Sequence, residues 1–326
     1  MKTAPRSVAL LAFDGIQVLD VTGPASVFAA ANDAAGKPFY RIRILSARGG
    51  PVVANSGVTL LTEPLSALAP ASVDTLLVSG GSADGLRAVA RDAAVRAWMS
   101  RACARARRYG SVCTGVFVLA AFGLVDGRRV ATHWDSIAAL ADLHPALDVD
   151  ADALYVEDGN VWTSAGVTTG IDMSLALVAR DLGDAVAHAI AQRLVLYARR
   201  PGYQSQLSPV LAAQGRHDGA FAHLVEWIRA HVAETLDVDR LAARAGMSPR
   251  HFHRRFTDAV GETPARFVET VRLDHARQLL STARSLKEVA AQVGYANQGQ
   301  FSKAFARRFG VSPGMFREMN MNVSSE

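Results

Sequence analysis

Two groups of side chains in this sequence have the types and the spacing to do chemistry. The first centres on Cys113, in the string GSVCTG at residues 110–115, between a short apolar run that reads as a strand and an apolar stretch, 116–122, that reads as a helix. Small flanking residues allow a sharp strand-to-helix turn, which lifts one side chain above a sheet edge beside backbone N–H groups and a helix start. Such a setting favours a thiolate. A buried small residue at a strand end explains the same string equally well, since free Cys is often buried. The second group is PRHFHRRF at residues 249–256. Phe252 and Phe256 are one turn apart and must face inward, so at 100° per residue Arg250 and Arg254 point outward, with His251, His253 and Arg255 around them. A face of this kind suits the edges of guanine or the phosphates of a duplex.

That cationic helix belongs to a pattern written twice. Leu241, Ala242, Ala243 and Gly246 recur 48 residues later as Val289, Ala290, Ala291 and Gly294. With one extra residue in the second turn, Phe252, Phe256, Gly261, Pro264 and Phe267 recur 49 residues later as Phe301, Phe305, Gly310, Pro313 and Phe316. Two copies cannot form a long stacked array. They form a pair of helix-turn-helix units, joined by a helix over about 264–280 with Phe267, Val271 and Leu279 on one face. The second outward face is poorer in reach: Gly299 stands where the first copy has Arg250, beside Gln298, Gln300, Ser302 and Lys303, with Arg307 one turn on. This face is expected to anchor phosphate more than to select bases. Asp237 and Ser248-Pro249 are start signals for the first unit, and Ser285 with Glu288 has capping-box spacing in the second.

The elements that carry Cys113 read as an alternating set. Strands are expected at 7–13, 40–46, 75–79 and 109–113, with helices from Pro24 to about 35, over 86–105 and over 184–197. Alternation of this kind indicates a parallel α/β sheet. The run ARRPGYQSQLSP at 198–209 and the polar QGRHDG at 214–219 mark a linker over 200–218, and Phe221, Leu224, Val225, Ile228 and Val232 then trace one helical face. Three regions result: 1–199, a linker, and 219–320. Trp227 on the entry helix is a core or boundary residue.

Composition excludes several classes. At 326 residues, half of them apolar, the chain can bury two cores. The net charge of +5 is carried mainly after residue 200, where 16 basic residues face 12 acidic ones, against 19 and 18 before it. Cys103 and Cys113 are the two cysteines, with no metal-type spacing, so no disulfide, metal or cofactor is expected. The longest apolar runs are too short for a signal or a membrane span, which points to the cytoplasm.

The first region resembles the PfpI-like branch of the class I glutamine amidotransferase superfamily over roughly residues 6–199, and the string GSVCTGVFVLAAFGLVDGRRVATHW is especially similar to isocyanide hydratases and to the ligand domains of GlxA-type regulators. The resemblance implies that Asp20, in FDGIQVLDVTGPASVFAAAN, sits against Cys113, and that Gly80 and Gly81 of VSGG turn backbone N–H groups toward the same pocket. It also places a late helix start in SAGVTTGIDMSLALV. Thr114 stands where protease relatives carry a histidine directly after the cysteine, and His133 of THW is the remaining histidine in a matching string, a structural role being the commoner one. The hydratase relatives work with Cys and Asp alone. The last region resembles the AraC/XylS-type DNA-binding domain over about 219–318, down to the ending GVSPGMFRE.

Together these readings imply an α/β parallel-sheet sandwich followed by an all-α domain with two helix-turn-helix units. The expected protein is a sequence-specific regulator that binds double-stranded DNA, senses a small molecule around Asp20, Gly80, Gly81, Cys113, Thr114 and His133, and dimerises. Catalysis by Cys113 and Asp20, as a hydratase or an amide- or aldehyde-processing enzyme with a DNA-binding tail, is the alternative. A purely structural helical-repeat protein has little support.

Overall fold

The computed structural model describes residues 4–196, 199–206, 221–280, 284–309 and 311–321. The chain divides into two compact units, Met1–Gln206 and Leu207–Glu326. Among the described residues the first is built on an eight-stranded sheet in the order β3-β4-β2-β1-β5-β6-β10-β9. Its strands are β1 (Arg6–Leu11), β2 (Tyr40–Ser46), β3 (Gly50–Val53), β4 (Thr59–Pro64), β5 (Thr75–Val78), β6 (Arg108–Val112), β9 (Tyr155–Asp158) and β10 (Val161–Ser164), with β7 (Arg129–Val130) and β8 (Asp148–Val149) paired separately. The run from β4 through β10 is parallel, and antiparallel β3 and β9 close the two edges. Val8, Ala9, Leu10 and Leu11 are at most 2% exposed, as a central parallel strand covered on both faces requires.

Two helical layers provide that cover. Helix α1 (Val18–Ala34) packs with α6 (Thr169–Leu182) and α7 (Asp184–Arg193), while α2 (Ala83–Arg91) packs with α3 (Ala93–Cys103) and α4 (Val116–Ala121); α5 (Ile137–Leu143) lies beside β8. Three boundaries differ from the sequence reading. Helix α1 starts six residues before Pro24, because burial of Val21 and of the Asp20 carboxylate holds an extra turn in place that local proline preference does not foresee. The helix expected over 86–105 is two, because the Asp92 carboxylate accepts the N–H groups of Ala94 and Val95 and starts a new one. Helix α7 ends at Arg193, and position 197 lies outside the described residues.

Of the expected linker, 200–218, only the first part falls among the described residues. Residues 200–206 hydrogen-bond onto the first unit, while 207–218 lie outside the described residues.

The second unit follows the doubled pattern. Helices α8 (Ala222–Ala230), α9 (Val238–Arg244) and α10 (Pro249–Val260) enclose one core, α12 (Leu286–Gln292), α13 (Gln298–Phe309) and α14 (Pro313–Met321) another, and α11 (Pro264–Leu280) serves both. Phe221 meets Phe252 and Phe256 edge-on in the first core, and Phe305 touches Phe301, Phe309 and Phe316 in the second. Asp237 caps α9 through the Arg240 N–H, and Ser285 and Glu288 form a reciprocal capping box on α12. Ser248 occupies the corresponding place on α10 without a side-chain cap, leaving Pro249 in the first turn as the effective start signal.

Candidate functional site

Cys113 sits where β6 ends and the chain turns toward α4, with φ at +58°, a left-handed conformation that is uncommon for any residue but glycine. The glycines of the string make this geometry possible. A Cβ on Gly110 would run into the Trp162 carbonyl of neighbouring β10, and one on Gly115 would meet the Ser79 carbonyl at 2.8 Å. The elbow is therefore set by close backbone approach on both sides, with Cys113 itself at its tip.

Around the sulfur stand three groups. The Asp20 carboxylate faces the thiol and accepts from it, and the backbone N–H and side chain of Thr114 lie against the sulfur, the Thr114 hydroxyl giving its proton to the Gly81 carbonyl at 3.4 Å. Asp20 is 1% exposed and is held on both oxygens: Oδ2 accepts the Gly80 N–H at 3.1 Å and Oδ1 the Val167 N–H at 2.8 Å. Gly80 has to be glycine here, because a Cβ would lie 2.7 Å from the Cβ of Cys113 and 2.8 Å from Asp20 Oδ2. The Gly81 N–H donates to Thr114 Oγ1 at 3.1 Å. The two N–H groups of the glycine loop thus position Asp20 and Thr114, which in turn contact the thiol.

Electrostatics run against the thiolate expected from the sequence. Burial, then the charge of Asp20, pushes the Cys113 thiol up to about 12, and burial pushes Asp20 up to about 6 despite the two N–H groups that favour its charged form. The helix that follows the elbow has only six residues. Its N-terminal field is outweighed by the loss of water and by a neighbouring carboxylate. At neutral pH the pair is a protonated thiol donating to a carboxylate.

His133 is engaged locally. Its Nδ1 accepts the Asp135 N–H at 3.4 Å, and its ring lies beside Trp134, so the histidine caps the short turn that begins there. The residue before it makes the contact with the elbow: Thr132 Oγ1 donates to the Cys113 carbonyl at 3.2 Å. Gly166 and Val167 also join the site without having been singled out from sequence. Gly166, φ +95°, packs so closely that a Cβ would lie 2.7 Å from the Cys113 sulfur, and Val167 adopts φ +51°. The available signal was a glycine followed by a β-branched residue at the end of an apolar strand, a turn cue whose partner 147 residues away is not written locally.

In the second unit the two outward faces are as the helical spacing requires. Phe252, Phe256, Phe301 and Phe305 are fully buried. Arg250, His251, His253 and Arg254 on α10, and Gln298, Gln300 and Lys303 on α13, are exposed, while Ser302 is half-buried. Two of the cations are committed elsewhere. Arg255 is half-buried and engaged within the fold, and Arg307 pairs with Glu269 of α11 at 2.6 Å.

Known proteins combine the same two parts. Residues 6–180 match the DJ-1/PfpI family, and residues 241–319 match a helix-turn-helix domain. The chain is 31% identical to the HTH-type transcriptional regulator GbdR of Pseudomonas aeruginosa, over 95% of this chain and 83% of that protein. It is 30% identical to the HTH-type transcriptional regulator GlxA of Rhizobium meliloti, over 88% of each. The isonitrile hydratase of Pseudomonas putida is 30% identical over 74% of this chain and 98% of its own length.

Proposed function

Because the chain belongs to the family of transcriptional regulators that join a DJ-1/PfpI domain to an AraC-type helix-turn-helix domain, we propose that α10 reads bases in double-stranded DNA while α13 anchors phosphate, under the control of a small molecule held at Cys113. One observation carries the reading. Each recognition helix buries a Phe pair and turns a polar face outward, and the first face holds Arg250 and Arg254 where the second has Gly299 and Lys303. Arginine on such a face can make bidentate contacts with guanine, whereas Lys303 supplies a point charge. The protein acts as a homodimer, as expected of the family.

Arg254→Ala tests this directly. If the side chain reads a base, specific binding weakens by about 1–3 kcal/mol and selectivity relaxes at one position of the site. Equal loss on operator and on random DNA would count against base reading.

A second reading is favoured by the hydrogen-bonded Cys113–Asp20 pair and by the hydratase relative. In it the pocket also turns its ligand over. Incubation of purified protein with isonitriles, amides and aldehydes separates the two: turnover abolished by Cys113→Ala supports the enzyme, and no turnover together with altered effector-dependent DNA binding in that variant supports the sensor.

A further inference from the structure

The segment that leads out of the first unit is fastened to it at both ends. At its start, Arg200 binds Asp172 of α6 three times, through its backbone N–H at 3.0 Å, Nε at 2.9 Å and Nη2 at 2.6 Å, and Nη2 also donates to Thr168 Oγ1 at 2.8 Å. The Asp172 side chain is 3% exposed, and the described donors to its oxygens are those of Arg200. In its middle, the Gly202 carbonyl accepts the N–H groups of Leu154 and Tyr155. At its end, Gln206 Nε2 donates to the carbonyls of Thr132 and Ala153, at 2.9 and 3.1 Å. A buried carboxylate that depends on one guanidinium makes a strong fastening, because withdrawing the arginine leaves an uncompensated charge.

Both fastenings lead to the same elbow. Thr168 follows Gly166 and Val167 directly, with Asp172 one helical turn further on in α6, and that turn is held by Asp20 through the Val167 N–H and packed against Cys113 through Gly166. Thr132, whose carbonyl takes Gln206, gives its hydroxyl to the Cys113 carbonyl. The start of the segment is thus connected to Cys113 through Asp20 and α6, and its end through Thr132. Val167 in the left-handed region is a costly conformation for a β-branched residue, and it persists only while its surroundings impose it.

We propose that residues 199–206 form a strap that transmits occupancy of the Cys113 pocket to the helix-turn-helix unit. A ligand that donates a hydrogen bond to Asp20 competes with the Val167 N–H, lets the 166–168 turn relax, and shifts Thr168 and Asp172 away from Arg200. Filling the elbow also moves the Cys113 carbonyl against Thr132 and disturbs the Gln206 fastening. Both routes act on residues 200–206, where the chain leaves the first unit. The proposal rests on the regulator reading above and adds to it the path of the signal.

Coupling between two sites is reciprocal, so weakening the strap must be felt at the pocket even without a ligand. The test uses the full chain and iodoacetamide, with Cys113 and Cys103 followed separately by peptide mass spectrometry. Cys103 is buried at the end of α3 and serves as the internal reference for loosening of the whole unit. Arg200→Ala and, as the milder change, Gln206→Ala are each expected to raise the Cys113 labelling rate about fivefold or more, with Cys103 unaltered. Thr132→Val, at the pocket end, is expected to raise exchange of the 199–206 amides with deuterium. Equal acceleration of both cysteines, or of neither, overturns the strap. The same strap variants are then measured on the DNA upstream of the protein's own gene, where a change in Kd of about fivefold is expected. An unchanged Kd alongside altered labelling refutes transmission to the reader. A wild-type protein without salt-dependent DNA binding defeats the regulator reading instead, and is recognised independently of the labelling result.

Discussion

Replacing Asp20 with Asn should stabilise the first unit at pH 8 and do so much less at pH 5. The carboxyl has its pKa raised from 3.8 to about 6 by burial, so between these values the folded chain keeps a proton that the unfolded chain has released. Stability associated with this group is therefore fully present below pH 3.8 and is lost as pH rises through 6. The shift corresponds to a loss of about 3 kcal/mol at pH 8, and of about half that at pH 5. Asn carries no charge and has no such slope. It keeps one acceptor for the N–H groups of Gly80 and Val167 but turns an amide N–H toward the other, a pH-independent cost of about 1 kcal/mol. The net expectation is a gain of about 2 kcal/mol at pH 8 and less than about 1 kcal/mol at pH 5. Urea unfolding followed by tryptophan fluorescence in a Trp227→Phe background reports on the first unit alone, since Trp98, Trp134 and Trp162 all lie there. Comparing variant with parent at each pH cancels the other titrating groups, Asp172 and Glu157 among them. A difference that is the same at both pH values, or that shrinks as pH rises, would mean that the two N–H groups outweigh burial and that Asp20 is an ordinary carboxylate.

Three further changes probe the rest of the molecule. Lys303→Ala should weaken binding to all DNA alike and reduce the slope of log K against log salt by about 1, which a salt titration measures; a selective loss on one sequence would assign base reading to the second helix. Phe305→Ala, removing a fully buried ring that touches Phe301, Phe309 and Phe316, should cost about 3–5 kcal/mol in the second core, with deuterium exchange rising in α12 to α14 before α8 to α10. Gly166→Ala forces a methyl against the Cys113 sulfur at φ +95°, and should abolish effector response while the helical unit still binds DNA; retained response in a reporter assay would show that the turn yields without consequence.

The parts of this molecule that sequence discloses are those whose cause is local. Periodicity places the Phe pairs inward and the cations outward, and the repeat makes the two units visible together. The strand at 40–46 shows alternation, with Arg41 and Arg43 between apolar residues, and the one expected at 75–79 is a short run around Leu76, Leu77 and Val78. The split at Asp92 was written as an aspartate before an alanine-rich run, but the apolar pattern on either side of it obscured the cap. Antiparallel β3 and β9 escaped because short edge segments carry weak alternation. In the site, Cys113 and Asp20 follow from residue type and resemblance. Their protonation does not, because it depends on how completely the fold removes water from both and brings them together. Likewise, Arg307 counts as a free cation in the sequence and is an ion pair in the fold, since Glu269 lies 38 residues away.

The asymmetry of the two readers has meaning because the fold fixes their separation. Arg272, on the helix they share, donates to the carbonyls of Val232 and Glu234 just past α8, at 3.0 and 2.6 Å. Gly294, in the second turn, presses on the same place: a Cβ there would lie 2.5 Å from the Val232 carbonyl and 2.7 Å from Arg272. The turn of the second unit therefore rests on the segment that supports the first, and neither can slide without breaking a hydrogen bond to a charged group. A reader this rigid cannot adapt to different groove spacings. If both helices enter major grooves, as proposed, the duplex has to offer two groove faces one helical turn apart, about 34 Å, or bend until it does. In the proposed reading, weak base contacts at α13 are then compatible with sequence selection, because a phosphate grip held at a fixed distance would discriminate by the register and deformability of the DNA while Arg250 and Arg254 would discriminate by its bases.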